Sequence, residues 1–451
     1  MSNVCPLDFR YGRDVIKELF SEEGRLRYQL QVEAALARAH ASLDRIPAEA
    51  AEEISAKATL DYVDINRVRE IEDEIRHDVM AMVKALAEQC EGDAGNYIHL
   101  GATSYDIVDS ANALQMTTAL DIILDNLHQL QRTLMGLADE HRDTVMLGRT
   151  HGQAALPVTF GLKMAVYAAE TSRHARRIRD CRGEIAIGKM SGAVGSGAGF
   201  GNQFFELQSQ VMKDLGLAAE MPATQIVGRD RYIHLLSVLA NIAASLEKFA
   251  TEIRNLQRTE IGEAAESFGA KQVGSSTMPH KKNPIACEQI CGLARVVRAQ
   301  LLPAWENAVQ WHERDLCNSS SERFILPHAL VLTDWILYRM NRVFGHLDVH
   351  PDRMAENIER SQGFPLAEAV MLRLVEVGMG RQEAHELLRR CSLEAMDTGR
   401  HLREVLLENE VVREHMDAKE IEGALDAAAY IGAAPEIVQR MLDRLSEELE
   451  E

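Results

Sequence analysis

Apolar residues recur along much of this chain at alternating three- and four-residue steps. Leu120, Ile123, Leu127, Leu130, Leu134 and Leu137 form one series; Leu235, Leu239, Ile242, Leu246, Phe249, Ile253 and Leu256 form another. Such spacing keeps one stripe of a helix turned toward a partner over several turns, so both stretches are predicted to be long bundle helices. Seams of this length must pack on something long, and a bundle built partly from other copies of the chain satisfies them. Only 11 prolines occur in 451 residues, and none falls between Ala48 and Leu156 or between Ala223 and Met278. No run of alternating β-branched residues stands out, so the predicted class is all-α. Chain length sets a prior of two or three domains.

The helical pattern breaks at Gly274-Ser275-Ser276-Thr277-Met278-Pro279-His280-Lys281-Lys282-Asn283-Pro284, between the seam ending at Leu256 and a helical run from Ile285. Glycine, two prolines and three hydroxyls make this a loop at a helix junction. It offers serine hydroxyls, two lysines, an amide and exposed backbone N–H groups to a small anion. On composition alone a basic surface turn accounts for it. It is not a Walker loop, which ends in Gly-Lys-Ser/Thr and follows a strand.

Other interruptions carry polar groups too. Arg10-Tyr11 precedes a helical stretch from Asp14 to Leu43, and His77-Asp78 falls in Glu74 to Met80, read as part of an amphipathic helix. His99, Gly101, Thr103 and Ser104 lead to Asp106, where Thr103, Ser104 or Asp106 caps the next helix. Gly148-Arg149-Thr150-His151-Gly152-Gln153 is read as a helix start, and Ser191 to Gly199 as a flexible glycine-rich connection. That run never satisfies Gly-x-Gly-x-x-Gly and lies in no βαβ pattern. Trp311 to Arg323 is by itself a charged, hydroxyl-rich turn. Each of these has an ordinary structural explanation, as cap, surface pair or solvated turn.

Formal net charge is −20, which argues against a nucleic-acid surface. An anionic small molecule would then need a local basic pocket, for which Arg10, Arg149, Lys281, Arg314 and Arg323 are candidates. Seven scattered cysteines read as reduced thiols in a cytoplasmic protein, and Cys287 with Cys291 lacks the further ligands of a metal site. No metal or cofactor is expected. Residues 1–14 lack the apolar core of a signal peptide, and no membrane span is expected.

The loop Gly274 to Asn283 resembles the signature Gly-Ser-Ser-x-Met-Pro-x-Lys-x-Asn of the fumarase, aspartase and argininosuccinate lyase superfamily at every fixed position. Arg10-Tyr11, His77-Asp78, Thr150-His151-Gly152-Gln153 and Arg314-Asp315 through Ser319-Ser320-x-Glu322-Arg323 resemble elements of its adenylosuccinate lyase branch. Cys317 and Asn318 stand where that branch has Ser and a common His. The resemblance implies three helical domains: an N-terminal one over 1–101, a central long-helix bundle over 102–345 and a small C-terminal one over 346–451. It implies a homotetramer with active sites shared between chains, acting on a small-molecule nucleotide, with neither nucleic acid nor membrane as partner. The implied reaction is β-elimination of fumarate from adenylosuccinate and from the succinylated carboxamide ribotide of purine biosynthesis.

Roles follow by resemblance. Ser275 is the expected base and His151 the general acid, supported by Glu288, with His77 next in line as acid. Lys281, Asn283 and the Thr103-Ser104 turn are expected to hold the substrate's carboxylates. Arg10, Tyr11, His77, Asp78, His99, Gln225, Arg314, Ser319 and Arg323 complete the binding set; Lys189 and Ser191 lie near it. Two other readings stay open: an argininosuccinate lyase, and a catalytically silent tetrameric binding protein on the same scaffold.

Overall fold

The computed structural model describes residues 4–269, 277, 278 and 280–450. Helices dominate it, and twelve elements position the polar groups singled out above or their supports: α1 (Asp14–Phe20), α2 (Glu22–Ser42), α3 (Ile65–Ile75), α4 (Asp78–Ala87), α5 (Ser104–Glu140), β1 (Val145–Thr150), β2 (Gln153–Thr159), α6 (Phe160–Ile185), α7 (Asp230–Leu256), α8 (Ile285–Ala299), α9 (Leu301–Asn307) and α10 (Cys317–Gly345). Both predicted seams are real. Every residue from Leu235 to Leu256 in the second series is at most 2% exposed. α7 is long and apolar enough to cross a membrane by length and composition, but its apolar stripe is buried in the protein core.

Two compact units divide the chain, with their boundaries falling inside the long helices. Unit 1 comprises residues 1–127, 174–247 and 289–339; unit 2 comprises 128–173, 248–288 and 340–451. In unit 1, Leu26, Leu30, Leu36, Ile54, Met82 and Leu86 centre a core on α2 and its neighbours. Ser21 splits the predicted Asp14–Leu43 helix into α1 and α2, because its hydroxyl accepts the Gly24 N–H and so starts a new helix. In unit 2, Tyr167 stacks on Phe249 at 4.2 Å between ring centroids. A separate C-terminal cluster there runs from Val370 to Ile421.

The settings of His77 and His151 differ from expectation too. His77 is not inside a helix: α3 ends on Arg76 in the left-handed region (φ 56°), and His77 caps α4. Nor does a helix begin at Thr150-His151. Residues 145–159 form an antiparallel hairpin with Thr150 opposite Gln153, and His151 and Gly152 at its tip both have positive φ (52° and 76°). That is the backbone of a type I′ turn, in which X-Gly is favoured.

The glycine-rich run is packed rather than loose. A Cβ on Gly199 would lie 2.9 Å from the Gly101 carbonyl, and one on Gly195 would strike the Ala223 carbonyl at 1.9 Å. Its glycines serve close backbone approach. They hold the run against the turn that starts α5.

Candidate active site

Three helix N-termini line one cavity of about 350 Å³ in unit 1. Asp78 and Val79 open α4, Ser104 and Tyr105 open α5, and Ser319 is the third residue of α10. First-turn N–H groups lack intrahelical partners and sit at the positive end of the macrodipole, so such a cavity favours an anion. His77 lies at its edge, with Nδ1 accepting the Met80 N–H at 3.3 Å. A neutral His77 capping α4 in this way carries its proton on Nε2, leaving a donor free for a ligand.

Charge in the cavity follows the same logic. Arg25, Arg76, Arg314 and Arg323 line it, against Glu72, Asp78 and Glu322. Arg323 Nη2 pairs with Asp78 Oδ2 at 2.6 Å. Arg314 lies 3.5 Å from the centre of the Tyr105 ring and donates Nη1 to Gln225 Oε1 at 2.9 Å. Its Nε and Nη2 are buried with no hydrogen-bond partner among the described residues. Burial raises the Tyr105 phenol above its ordinary pKa, although Ser319 hydrogen-bonds it, so the ring stays neutral beneath the guanidinium.

Behind this wall stands an ionic network whose pairing the motifs do not show, although Arg229 and Glu322 both fall in stretches that resemble the family's. Arg229 forks to Asp109 at 2.8 and 2.9 Å and to Glu322 at 2.8 and 3.1 Å. Asn318 Nδ2 also donates to Glu322, at 2.9 Å. Burial opposes the Arg229 charge, but Asp109 and its neighbours outweigh that and raise its pKa well above normal. Glu322 reaches the cavity with its charge already matched.

Lys189 through its ammonium and Ser191 through its backbone N–H are tied to the start of α5. Lys189 is fully buried and bonded to Asp106, whose carboxylate also takes the Ser191, Gly192 and Thr103 N–H groups. Thus Asp106, not a hydroxyl, closes the start of α5, and Thr103 meets it through backbone alone. Neither buried pair was legible from spacing, since the partners lie more than 80 positions apart.

The remaining predicted residues divide. His99 does not line the cavity; its Nδ1 binds Glu33 Oε1 at 2.6 Å. Arg10 is exposed and Tyr11 part-buried, both outside the lining, just before Arg13 grips the buried Asp334 through Nε at 2.8 Å. In unit 2, His151 stands exposed on the hairpin tip. Lys281, Asn283 and Glu288 line a groove of about 670 Å³ together with Arg254 and Arg258. Glu288 makes no hydrogen bond to His151 within the chain: one is on the first turn of α8, the other on a projecting turn. Arg149, offered as a pocket cation, is instead clamped by the buried Glu263 at 2.7 and 2.8 Å. Ser275 lies outside the described residues. Among those described, no group of three or more His, Cys, Asp or Glu could hold a metal.

Residues 8–299 match a family model described as Lyase, and residues 363–441 match one described as Adenylosuccinate lyase C-terminus. The chain is 49% identical over 444 residues to adenylosuccinate lyase of Pyrococcus abyssi, covering 98% of each chain. It is 47% identical over 441 residues to that of Methanothermobacter thermautotrophicus, again over 98% of each. Among solved structures it is similar to a 3-carboxy-cis,cis-muconate lactonizing enzyme from Pseudomonas putida, with TM-score 0.91 and 33% identity over 98% of this chain and 99% of that one. A fumarate lyase from Mesorhizobium sp. BNC1 gives TM-score 0.89 at 33% identity, covering 96% and 98%. The backbone is shared by enzymes with different titles, a lactonizing enzyme and a fumarate lyase, whereas identity approaching one half over full length, together with the C-terminal match, singles out one family: the chain belongs to the adenylosuccinate lyase family.

Proposed function

We propose that the protein eliminates fumarate from adenylosuccinate to leave AMP, and acts likewise on the succinylated carboxamide ribotide of purine biosynthesis. The observation that carries this reading is Arg314: a guanidinium over Tyr105 with two buried N–H groups unpartnered among the described residues, in a cavity ringed by helix N-termini. Leaving charged donors buried and unpaired is costly, and a substrate oxyanion would satisfy them. Ser104, Ser319, Arg323 and the His77 Nε2 proton offer further contacts in the same cavity.

The chemistry asks for what the two units offer. A base removes the proton from the carbon beside a carboxylate, the electron pair forms the C=C bond, the C–N bond breaks, and an acid protonates the departing nitrogen. Charge builds on that carboxylate as the proton leaves, so fixed cations and amides lower the barrier. Lys281 and Asn283, with the Ser104 turn, are assigned to that clamp; Ser275 is the base and His151 the acid. His151 is exposed on an I′ turn, where it is free to reach a bound substrate. Glu288 is kept as its support only across copies, because within one chain the two are not bonded.

The candidate groups are divided between units, with His77, Asp78, Arg314, Ser319 and Arg323 in unit 1 and His151, Lys281, Asn283 and Glu288 in unit 2. A homotetramer whose sites draw on several chains, in the three-domain arrangement 1–101, 102–345 and 346–451, supplies both sets. Seven free cysteines suit a reducing, cytoplasmic setting. The test is to incubate purified protein separately with adenylosuccinate and argininosuccinate and follow fumarate. Release from the first alone is expected; release from argininosuccinate alone would overturn the assignment.

A further inference from the structure

The cavity of unit 1 contains a cation to which no motif pointed. Arg25 lies on the first turns of α2, part-buried, and lines the cavity beside Arg323. Among the described residues its guanidinium has no hydrogen bond and no carboxylate within 4.0 Å, its backbone N–H alone being bonded, to the Ser21 carbonyl. Each carboxylate that could neutralise it is committed or distant. Asp78 holds Arg323, Glu322 is held by Arg229 and Asn318, and Glu72 acts on Arg25 only at longer range. Burial first, and the neighbouring Arg323 charge second, draw the Arg25 pKa down. Two guanidinium groups, Arg25 and Arg314, therefore face one small cavity without a counter-ion among the described residues. That excess suits a ligand group of two negative charges, which a phosphate monoester has and a single carboxylate lacks.

We propose that Arg25 is a phosphate-binding residue of the nucleotide site, clamping the phosphate monoester together with Arg323 and the N-terminal turns of α4, α5 and α10. It rests on the reading of this cavity as the nucleotide site. Arg25 would then set the preference for a nucleotide over the corresponding nucleoside, since Arg forks onto phosphate oxygens in a way a point charge does not.

Calorimetric titration of the assembled full-length protein with AMP and with adenosine tests it, using wild type, Arg25→Met, Arg25→Lys and Arg323→Met, with thermal unfolding to show that each variant is folded. Loss of one charge-assisted contact predicts AMP affinity lower by roughly 10- to 100-fold in Arg25→Met, adenosine affinity unchanged, and Arg25→Lys in between. Native AMP affinity in Arg25→Met alongside a weakened Arg323→Met would overturn the role of Arg25 and leave the nucleotide site standing. Equal losses for AMP and adenosine would overturn the phosphate assignment. Failure of wild type to bind AMP would remove both readings.

Discussion

His151 and Arg229 show how differently two polar residues are used. His151 is exposed and at positive φ on a projecting turn, while Arg229 is buried with every fork arm engaged. Replacing His151 by Gln should therefore leave folding intact and lower kcat by about 10²–10⁴-fold, the usual contribution of a general acid; near-native turnover would move that role to His77. Arg229→Met leaves Asp109 and Glu322 buried without their cation, which should cost about 3–5 kcal/mol in unfolding free energy and show as a clear drop in Tm. His99 makes a pH-dependent contribution. Burial opposes its charge, but Glu33 at 2.6 Å and then Asp106 outweigh it and raise its pKa above 6.5. A raised folded-state value means the stabilisation is complete below the unfolded value and lost as pH rises through the folded one. The Tm gap between wild type and His99→Gln should accordingly shrink as pH rises above the ordinary histidine value of about 6.5; a constant gap would show that His99 does not titrate with folding.

At the scale of elements, the helices were readable because a three-four seam is a local pattern, and Leu120 to Leu134 and Leu235 to Leu256 are buried as that pattern requires. The 145–159 hairpin was missed for a physical reason. Its strands carry Gly148, Pro157 and two alanines instead of alternating β-branched residues, and the visible signal, His-Gly flanked by two short apolar runs, is easily taken for a helix start. Likewise the chemistry of unit 1 was half legible. Arg314, Ser319 and Arg323 share one short stretch of sequence, but Arg25 becomes visible only when α2 is brought alongside α10. Long-range ion pairs such as Lys189 with Asp106 have no sequence periodicity at all. The hairpin itself supports a prediction. A Cβ at Gly152 would meet nothing within 4 Å, so Gly152→Ala adds only the cost of a left-handed φ, about 1 kcal/mol, at the turn that presents His151. Turnover should fall while Tm changes by little; unchanged kcat would mean the tip geometry does not matter.

For the whole molecule, the division of candidate groups between two units is the feature that any mechanism must accommodate. Large apolar side chains of α9 and the turn after it, among them Trp305, Val309, Trp311 and Leu316, are more than half exposed in the single chain, and the proposed homotetramer would have this surface to bury. The central claim is that groups of unit 1 and unit 2 from different copies meet around one succinylated nucleotide. Subunit mixing addresses it directly. Arg323→Met and His151→Gln proteins, each silent alone, are dissociated, mixed, reassembled and assayed for fumarate release from adenylosuccinate. Recovery of measurable activity in the mixture is predicted, because some sites then receive an intact Arg323 from one copy and an intact His151 from another; a mixture as silent as its components would contradict that claim.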